Sequence, residues 1–266
     1  MLRDQDEFLL IYNKRKEFES EKFKNTGLTW GDLEKVAESY EQFKTELEKT
    51  IKEYSSRLQN IPNVKYLGFR LKDTEHLIEK IIRKVAKRGK IINVNNYKEE
   101  ITDLMGIRLV YISKYDAVSV FEKIVEIYRQ DVVEVALKYR AGDDLSPYVQ
   151  ILKSDYFDVK KEETERYRSV HFTLKTHIGT CLEIQTRTIF EEGWSEVDHD
   201  SLYKGEQDNG QIKTTSSILS RLAGTCDELA ELMLGRYKNN KVVEDESNQS
   251  KNLTNYEDCL QHILKK

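Results

Sequence analysis

Residues 167–188, YRSVHFTLKTHIGTCLEIQTRT, alternate with a period of two on both sides of a short interruption. Val170, Phe172, Leu174, Leu182 and Ile184 fall on one side, and Tyr167, Ser169, His171, Glu183, Gln185 and Arg187 on the other. Successive side chains of a strand point to opposite faces, so the pattern predicts two strands with one buried face. Thr176-His177-Ile178-Gly179 supplies a turn, with Gly179 free to take a positive φ. A single polar residue here would read as the wet side of a sheet. Six in register, one of them a carboxylate suited to facing a metal, predict a functional face.

The surrounding chain alternates between short strands and helices. Val64–Lys72 reads as a strand, and Asp73 caps a helix striped by Leu77, Ile78, Ile81, Ile82 and Val85. Leu104–Ile112 is an apolar strand, Lys114–Gln130 a helix and Val132–Tyr139 another strand. Residues 140–166 read as a long charged loop, and Thr188 with Glu191 as a capping box opening a helix over 189–203. Upstream, residues 2–24 are helix-like, and Thr29 with Asp32 opens a helix that runs to about Gln59 before Pro62. Downstream, a Gly/Asn/Asp-rich break at 205–210 precedes a helix over 212–237, a polar and mobile stretch at 239–256, and a short helix from Tyr256 to Leu264. No internal repeat is visible. The outline is a helical extension at 1–61, a mixed α/β body at 62–205, and a helical extension with a polar linker at 206–266.

Composition narrows the setting. With 38% apolar and 34% charged residues, the 266-residue chain reads as globular with much exposed helix surface. No apolar run reaches the roughly 20 residues a membrane span needs, and the mixed, acidic start MLRDQD does not resemble a signal peptide. Cys181, Cys226 and Cys259 show neither metal-site spacing nor an even count, which points to a reducing, cytoplasmic setting. A net charge of −4 argues against a general nucleic-acid coat.

Candidate chemistry lies in four stretches. In GFRLKDTEHLIEKIIRKVAKRGK, Arg70 and Lys72 share one face of a strand end, and Lys80 follows in the next helix. With that helix's amino end they suit a polyphosphate, whereas Arg83, Lys84, Lys87, Arg88 and Lys90 read as surface. In ITDLMGIRLVYI, Asp103 is either a turn residue before the strand or a Mg²⁺ ligand. Arg108 sits mid-strand, where an unpaired guanidinium is costly. Alternation sets Asp103 and Arg108 on opposite faces unless Gly106 marks a bulge or the strand starts later. The third stretch is the hairpin. In the fourth, EEGWSEVDHD, Trp194 and Val197 read as core and His199 as ambiguous. No phosphate-binding G-x-x-x-x-G-K-[ST] loop, dinucleotide fingerprint or nucleophile elbow occurs. Carboxylates, lysines and arginines around a sheet are the equipment of phosphoryl-type transfer.

RLK with the helix to Lys80, TDLMGIR, YRSVH, EIQTRT and WSEVDHD, in this order, resemble the RelA/SpoT-type alarmone synthetases over about residues 62–205. The resemblance implies an α+β, nucleotidyltransferase-like mixed β-sheet flanked by helices, without a hydrolase half. It implies transfer of the β,γ-pyrophosphate of ATP to the 3′-hydroxyl of GDP or GTP, making (p)ppGpp, with Mg²⁺. By motif, Arg70 and Arg108 would sandwich the adenine, and Lys72 and Lys80 would hold its phosphates. Asp103 would bind the metal, and Glu183 would share it or help deprotonate the attacking hydroxyl. Tyr167 would stack on the acceptor base and His171 contact acceptor phosphate, with Gln185 and Arg187 in support. The approach to Tyr167, DYFDVKKEETERYRS, departs from the family in lacking Pro and Gly, although Lys160 and Lys161 remain to meet acceptor phosphates. That departure keeps a second reading open: a toxin-type relative that modifies adenosine nucleotides or the 3′ end of tRNA. A third is a catalytically dead nucleotide-sensing or scaffold protein, against which all the essential charged positions are present. The terminal helices are expected to mediate self-association or to bind a neutralising protein.

Overall fold

The computed structural model describes residues 2–13, 23, 26–143, 145, 158–203 and 210–234. At its centre is a six-stranded mixed sheet. Its strands are β1 (Val64–Leu71), β2 (Met105–Tyr111), β3 (Val132–Arg140), β4 (Asp158–Thr164), β5 (Ser169–Lys175) and β6 (Cys181–Thr188), laid out in the order β1-β2-β6-β5-β3-β4. β2 runs parallel to β6, and β3 parallel to β4. The β1–β2, β5–β6 and β3–β5 pairs are antiparallel. The hairpin read from the alternation is β5–β6, closed by Gly179 at φ 80°.

Helices pack the apolar face. They are α1 (Gln5–Asn13), α2 (Trp30–Leu58), α3 (Thr74–Arg88), the single turn α4 (Tyr97–Glu100) and α5 (Lys114–Tyr128). Local chemistry sets their starts. Thr29 and Asp32 form a reciprocal capping box on α2, as do Ser113 and Asp116 on α5. The Asp73 carboxylate accepts from the amides of Glu75 and His76, and α3 ends at Gly89 in the left-handed region, φ 69°. One contiguous core runs from Phe8 to Ile184 and takes in the apolar stripe of α3. Phe172 of β5 is fully buried against Phe121 of α5, ring centroids 5.4 Å apart; burying such a ring contributes about 2–3 kcal/mol. The Tyr40 hydroxyl of α2 donates to the Lys72 carbonyl at 2.7 Å, tying the amino-terminal helix to the end of β1.

Beyond the hairpin lie α6 (Ile189–Asp198), a π-helical turn at His199–Tyr203, and α7 (Gly210–Met233). Thr188 and Glu191 close the expected capping box on α6. The regular helix then stops five residues short of the expected end. The segment expected as a continuous charged loop, 140–166, contains β4, whose seven residues DVKKEET pair in parallel with β3. β4 is an edge strand with exposed or half-exposed side chains and no apolar alternation. Its order comes from the backbone ladder, which leaves no trace in hydrophobic pattern, and its charges suit an unpaired edge. The expected polar stretch 239–256 and the terminal helix Tyr256–Leu264 lie outside the described residues, as do most positions of 14–24. No described helix is long and apolar enough to cross a membrane.

Candidate active site

Residues paired across neighbouring strands share a face, so the registers alone assemble the site. One row runs Gly68–Arg108–Gln185–His171–Ala136–Lys160 and crosses all six strands. The row beside it begins Arg70–Gly106–Glu183. Arg70, Arg108, Glu183, Gln185, His171 and Lys160 therefore share the face opposite the helical core. Lys161 pairs with Leu137 and takes the alternate side of β4, while Lys160 forms an ion pair with Glu134. Of the two lysines expected together, only Lys160 faces the site.

Asp103 reaches this face because β2 begins at Met105, leaving Asp103 in the preceding turn. The register is regular from Met105 to Val110, with its one shift further on opposite Val64–Tyr66, so the later strand start, not a bulge at Gly106, reconciles Asp103 with Arg108. Lys72 Nζ and Lys80 Nζ meet Asp103 Oδ2 at 2.9 and 2.7 Å. Asp103 Oδ1 is buried and has no hydrogen-bond partner among the described residues. Burial opposes ionisation of Asp103, but the charges of Lys72 and Lys80 outweigh it and hold its carboxyl below the usual range. Burial also lowers Lys72, more than Asp103 raises it, because Lys80 and Arg70 add repulsion. The amides at the start of α3 are engaged by Asp73, which leaves the phosphate cradle to lysine side chains.

A cleft of about 420 Å³ is lined by Arg70, Lys72, Lys80, Asp103, Glu183 and Gln185 among others, so the two carboxylates open into one space. His199, ambiguous in sequence, also lines it. A second hollow of about 250 Å³ adjoins it through Arg70, Gly106 and Gln185 and is bounded by Tyr66, Phe69, Arg108 and Glu196. Gly106 gives this hollow a floor without a side chain between the two arginines. The Tyr66 ring folds over Gly68, where an added Cβ would meet its hydroxyl oxygen at 2.5 Å.

On the hairpin, His171 Nδ1 lies 2.8 Å from Glu183 Oε1, and Gln185 Nε2 donates to Glu183 Oε2 at 2.7 Å. Glu183 is desolvated, which disfavours its charge. The charge and hydrogen bond of His171, then Gln185 and Lys80, prevail and hold its pKa far below the ordinary value. The Tyr167 hydroxyl sits 3.4 Å from His171 Nε2 and accepts from Arg187 Nη2, whose guanidinium carbon is 4.8 Å from the Tyr167 ring centroid. Arg187 is only 3% exposed. Its Nη1 donates to Ser195 Oγ at 2.6 Å and to Glu192 Oε2 at 3.2 Å.

Sequence reasoning missed part of this. Glu192 and Glu196, one helical turn apart on α6, both bond Arg108 Nη1 at 2.5 Å. These two partners outweigh burial and raise the Arg108 pKa. Their i, i+4 spacing was the available signal. Trp194 is buried as expected, its Nε1 donating to the Ser216 carbonyl at 3.0 Å. Val197, expected in the core, is 52% exposed. The buried face of α6 continues from Glu191 and Trp194 to Asp198, which bonds the Ser216 hydroxyl, and position 197 falls off that stripe. Lys114, Arg168 and Glu191 border a cavity of about 10 Å³ on the other side of the sheet, room for one water and nothing larger.

Comparison with known proteins bears on the same region. The model of the region found in RelA / SpoT proteins matches residues 69–208. GTP pyrophosphokinase YwaC of Bacillus subtilis (strain 168) is 26% identical over 165 residues, covering 59% of this chain and 68% of that protein. The crystal structure of small alarmone synthetase 1 from Bacillus subtilis superposes with a TM-score of 0.54 at 21% identity, over 74% of this chain and 96% of that one. Its complex with the product pppGpp gives 0.55 at 20% identity, over 75% and 98%. At these identities the likeness speaks for the fold, a mixed sheet flanked by helices. The matched segment spans more than half of the chain and holds Arg70, Asp103, Tyr167, Glu183 and α6, and the chain belongs to the RelA/SpoT family.

Proposed function

We propose that the protein transfers the β,γ-pyrophosphate of ATP to the 3′-hydroxyl of GDP or GTP, forming (p)ppGpp and AMP. The observation that carries this reading is the shared cleft: Asp103 before β2 and Glu183 on β6 open into one space with Lys72 and Lys80. The adenine lies over Gly106, between the planar guanidinium groups of Arg70 and Arg108 and beside the Tyr66 ring. Its triphosphate extends towards Lys72 and Lys80, where phosphate charge replaces Asp103 as their partner. The guanine stacks on Tyr167, with His171 and Lys160 on the side of the acceptor phosphates.

The acceptor 3′-oxygen attacks the β-phosphorus, the bond to the α,β-bridging oxygen breaks, and AMP leaves. The unpaired Asp103 Oδ1 and the ionised Glu183 fit a hard divalent cation such as Mg²⁺, which would be held by two carboxylates and substrate phosphates. When bound, the cation neutralises charge on the pyrophosphoryl group and acidifies the hydroxyl. A carboxylate held as acidic as Glu183 is a weak base. Its role is accordingly to share the cation and orient the hydroxyl, whose proton passes to solvent. Lys72 and Lys80 stabilise the charge developing in transfer.

Incubating the protein with labelled ATP, Mg²⁺ and, in parallel, GDP, GTP, ATP or deacylated tRNA tests this reading. Labelled pyrophosphate on GDP or GTP, with AMP released, is expected. Transfer only to an adenosine nucleotide or to tRNA would overturn the acceptor, and no transfer to any acceptor would overturn the activity.

A further inference from the structure

We infer that Glu192 is a positioning residue that couples the donor and acceptor halves of the site. The inference rests on the two-nucleotide reading above and assigns a role to a side chain that touches neither nucleotide in it. Glu192 Oε1 holds Arg108 Nη1 at 2.5 Å, and Oε2 holds Arg187 Nη1 at 3.2 Å. Arg108 faces the donor hollow, and Arg187 grips the Tyr167 hydroxyl. One carboxylate thus bridges the arginine that stacks on the donor base and the arginine that fixes the acceptor's stacking platform.

The geometry suits transmission. Both carboxylates on Arg108 bind the edge of its guanidinium at Nη1, which leaves the flat face free to stack. Glu192 has little freedom of its own, because its side chain is only 16% exposed and it stands in the first turn of a helix capped by Thr188, the last residue of β6. Arg187 is equally confined, with Ser195 and Gln185 as further partners of its amino groups. A shift of Arg108 on binding ATP therefore pulls on the same carboxylate that sets Arg187 and Tyr167. Two sites biased by one shared element are coupled reciprocally: whatever ATP does to the affinity for the acceptor, the acceptor does to the affinity for ATP.

Glu196 provides the control, since among the described residues its carboxylate pairs with Arg108 and not with Arg187. Calorimetric titration of a non-hydrolysable ATP analogue, with and without GDP, reads the coupling directly, and steady-state kinetics read the two KM values. In the unaltered protein each nucleotide is expected to tighten the other by about fivefold or more. Glu192→Ala should bring that factor close to one and raise both KM values by about tenfold. Glu192→Gln, which keeps one accepting oxygen, should recover part of the loss. Glu196→Ala should raise the KM for ATP while leaving the KM for the acceptor unchanged. A Glu192→Ala protein that raises one KM only, or keeps the wild-type coupling factor, would overturn the inference and leave the activity standing. So would an active wild type whose two nucleotides bind independently. A wild type that binds neither nucleotide would overturn the functional reading itself.

Discussion

Replacing Asp103 with asparagine removes one negative charge from a point where two lysines converge. Lys72, Lys80 and Asp103 keep only 17%, 22% and 21% of their side-chain surface exposed, so solvent screens the cluster weakly. At an effective dielectric of about 20, each contact at 2.7–2.9 Å is worth about 6 kcal/mol in Coulomb terms, and desolvation of several kcal/mol per ion offsets most of it. Stranding the partners of a buried pair typically costs about 3–5 kcal/mol. The cluster keeps about a fifth of its surface exposed, so the lower end, about 3 kcal/mol, is expected at neutral pH. The pH dependence has a definite sign. Folding lowers the pKa of Asp103, so its stabilisation is present above about pH 4, the ordinary carboxylate value, and is lost as pH falls through the folded value. Folding also lowers Lys72, and removing Asp103 lowers it further. The lysine's desolvation then opposes folding in full below its folded value, and this penalty is lost as pH rises from there through the ordinary lysine value. Urea unfolding across pH should accordingly show a variant deficit that is largest near neutrality and shrinks in both acid and alkali. Transfer from labelled ATP should fall at least a hundredfold at the same time. An Asp103→Asn protein as stable as the wild type at pH 7, or one retaining most of its turnover, would refute the reasoning.

Three further outcomes are expected. Gly106→Val should fold normally, since a Cβ there meets nothing closer than the Arg70 carbonyl oxygen at 4.0 Å, yet its branches fill the floor of the donor hollow. The KM for ATP should rise about tenfold or more while the acceptor's KM stays fixed. Tyr167→Ala should do the reverse, weakening GDP or GTP by about ten- to a hundredfold, the usual worth of stacking on one base, without changing the affinity for the ATP analogue measured alone. On α7, Leu222 and Met233 are 55% and 86% exposed, and we propose that this face mediates self-association. Light scattering should give a multiple of 31.3 kDa for the wild type and the monomer mass for Leu222→Glu; a monomeric wild type would remove the basis for that proposal.

The parts of this molecule legible in sequence are those in which one force acts alone. β5 and β6 announce themselves because apolar and polar residue types alternate along them, although both faces end up largely buried, and α3 because its stripe Leu77, Ile78, Ile81, Ile82 and Val85 follows helical spacing and is all buried. The caps at Thr29, Asp73 and Thr188 were visible for the same reason, each being a local exchange of side-chain and backbone hydrogen bonds. β4 was not visible. It buries almost nothing, and a ladder of backbone amides does not depend on which side chains they carry. Arg108 shows a subtler limit. Its presence in an apolar strand signalled a partner, but the partners stand on a helix 84 and 88 residues later, and only the turn from β6 into α6 brings them back.

That return explains why such a concentration of charge folds without substrate. Asp103 is neutralised by Lys72 and Lys80, Glu183 is hydrogen-bonded by His171 and Gln185, and Arg108 and Arg187 are neutralised by carboxylates of α6. Each internal partner imitates part of what a nucleotide brings: lysines on a carboxylate stand where lysines on phosphate will be, and an arginine pinned at its edge waits for a base at its face. The cost of holding these groups out of water is therefore met mainly during folding, and substrate binding exchanges one set of ionic partners for another. Association should for that reason depend strongly on ionic strength at Lys72 and Lys80, whose partner is exchanged. At Arg187 it should depend little, because its partners on α6 remain in place throughout.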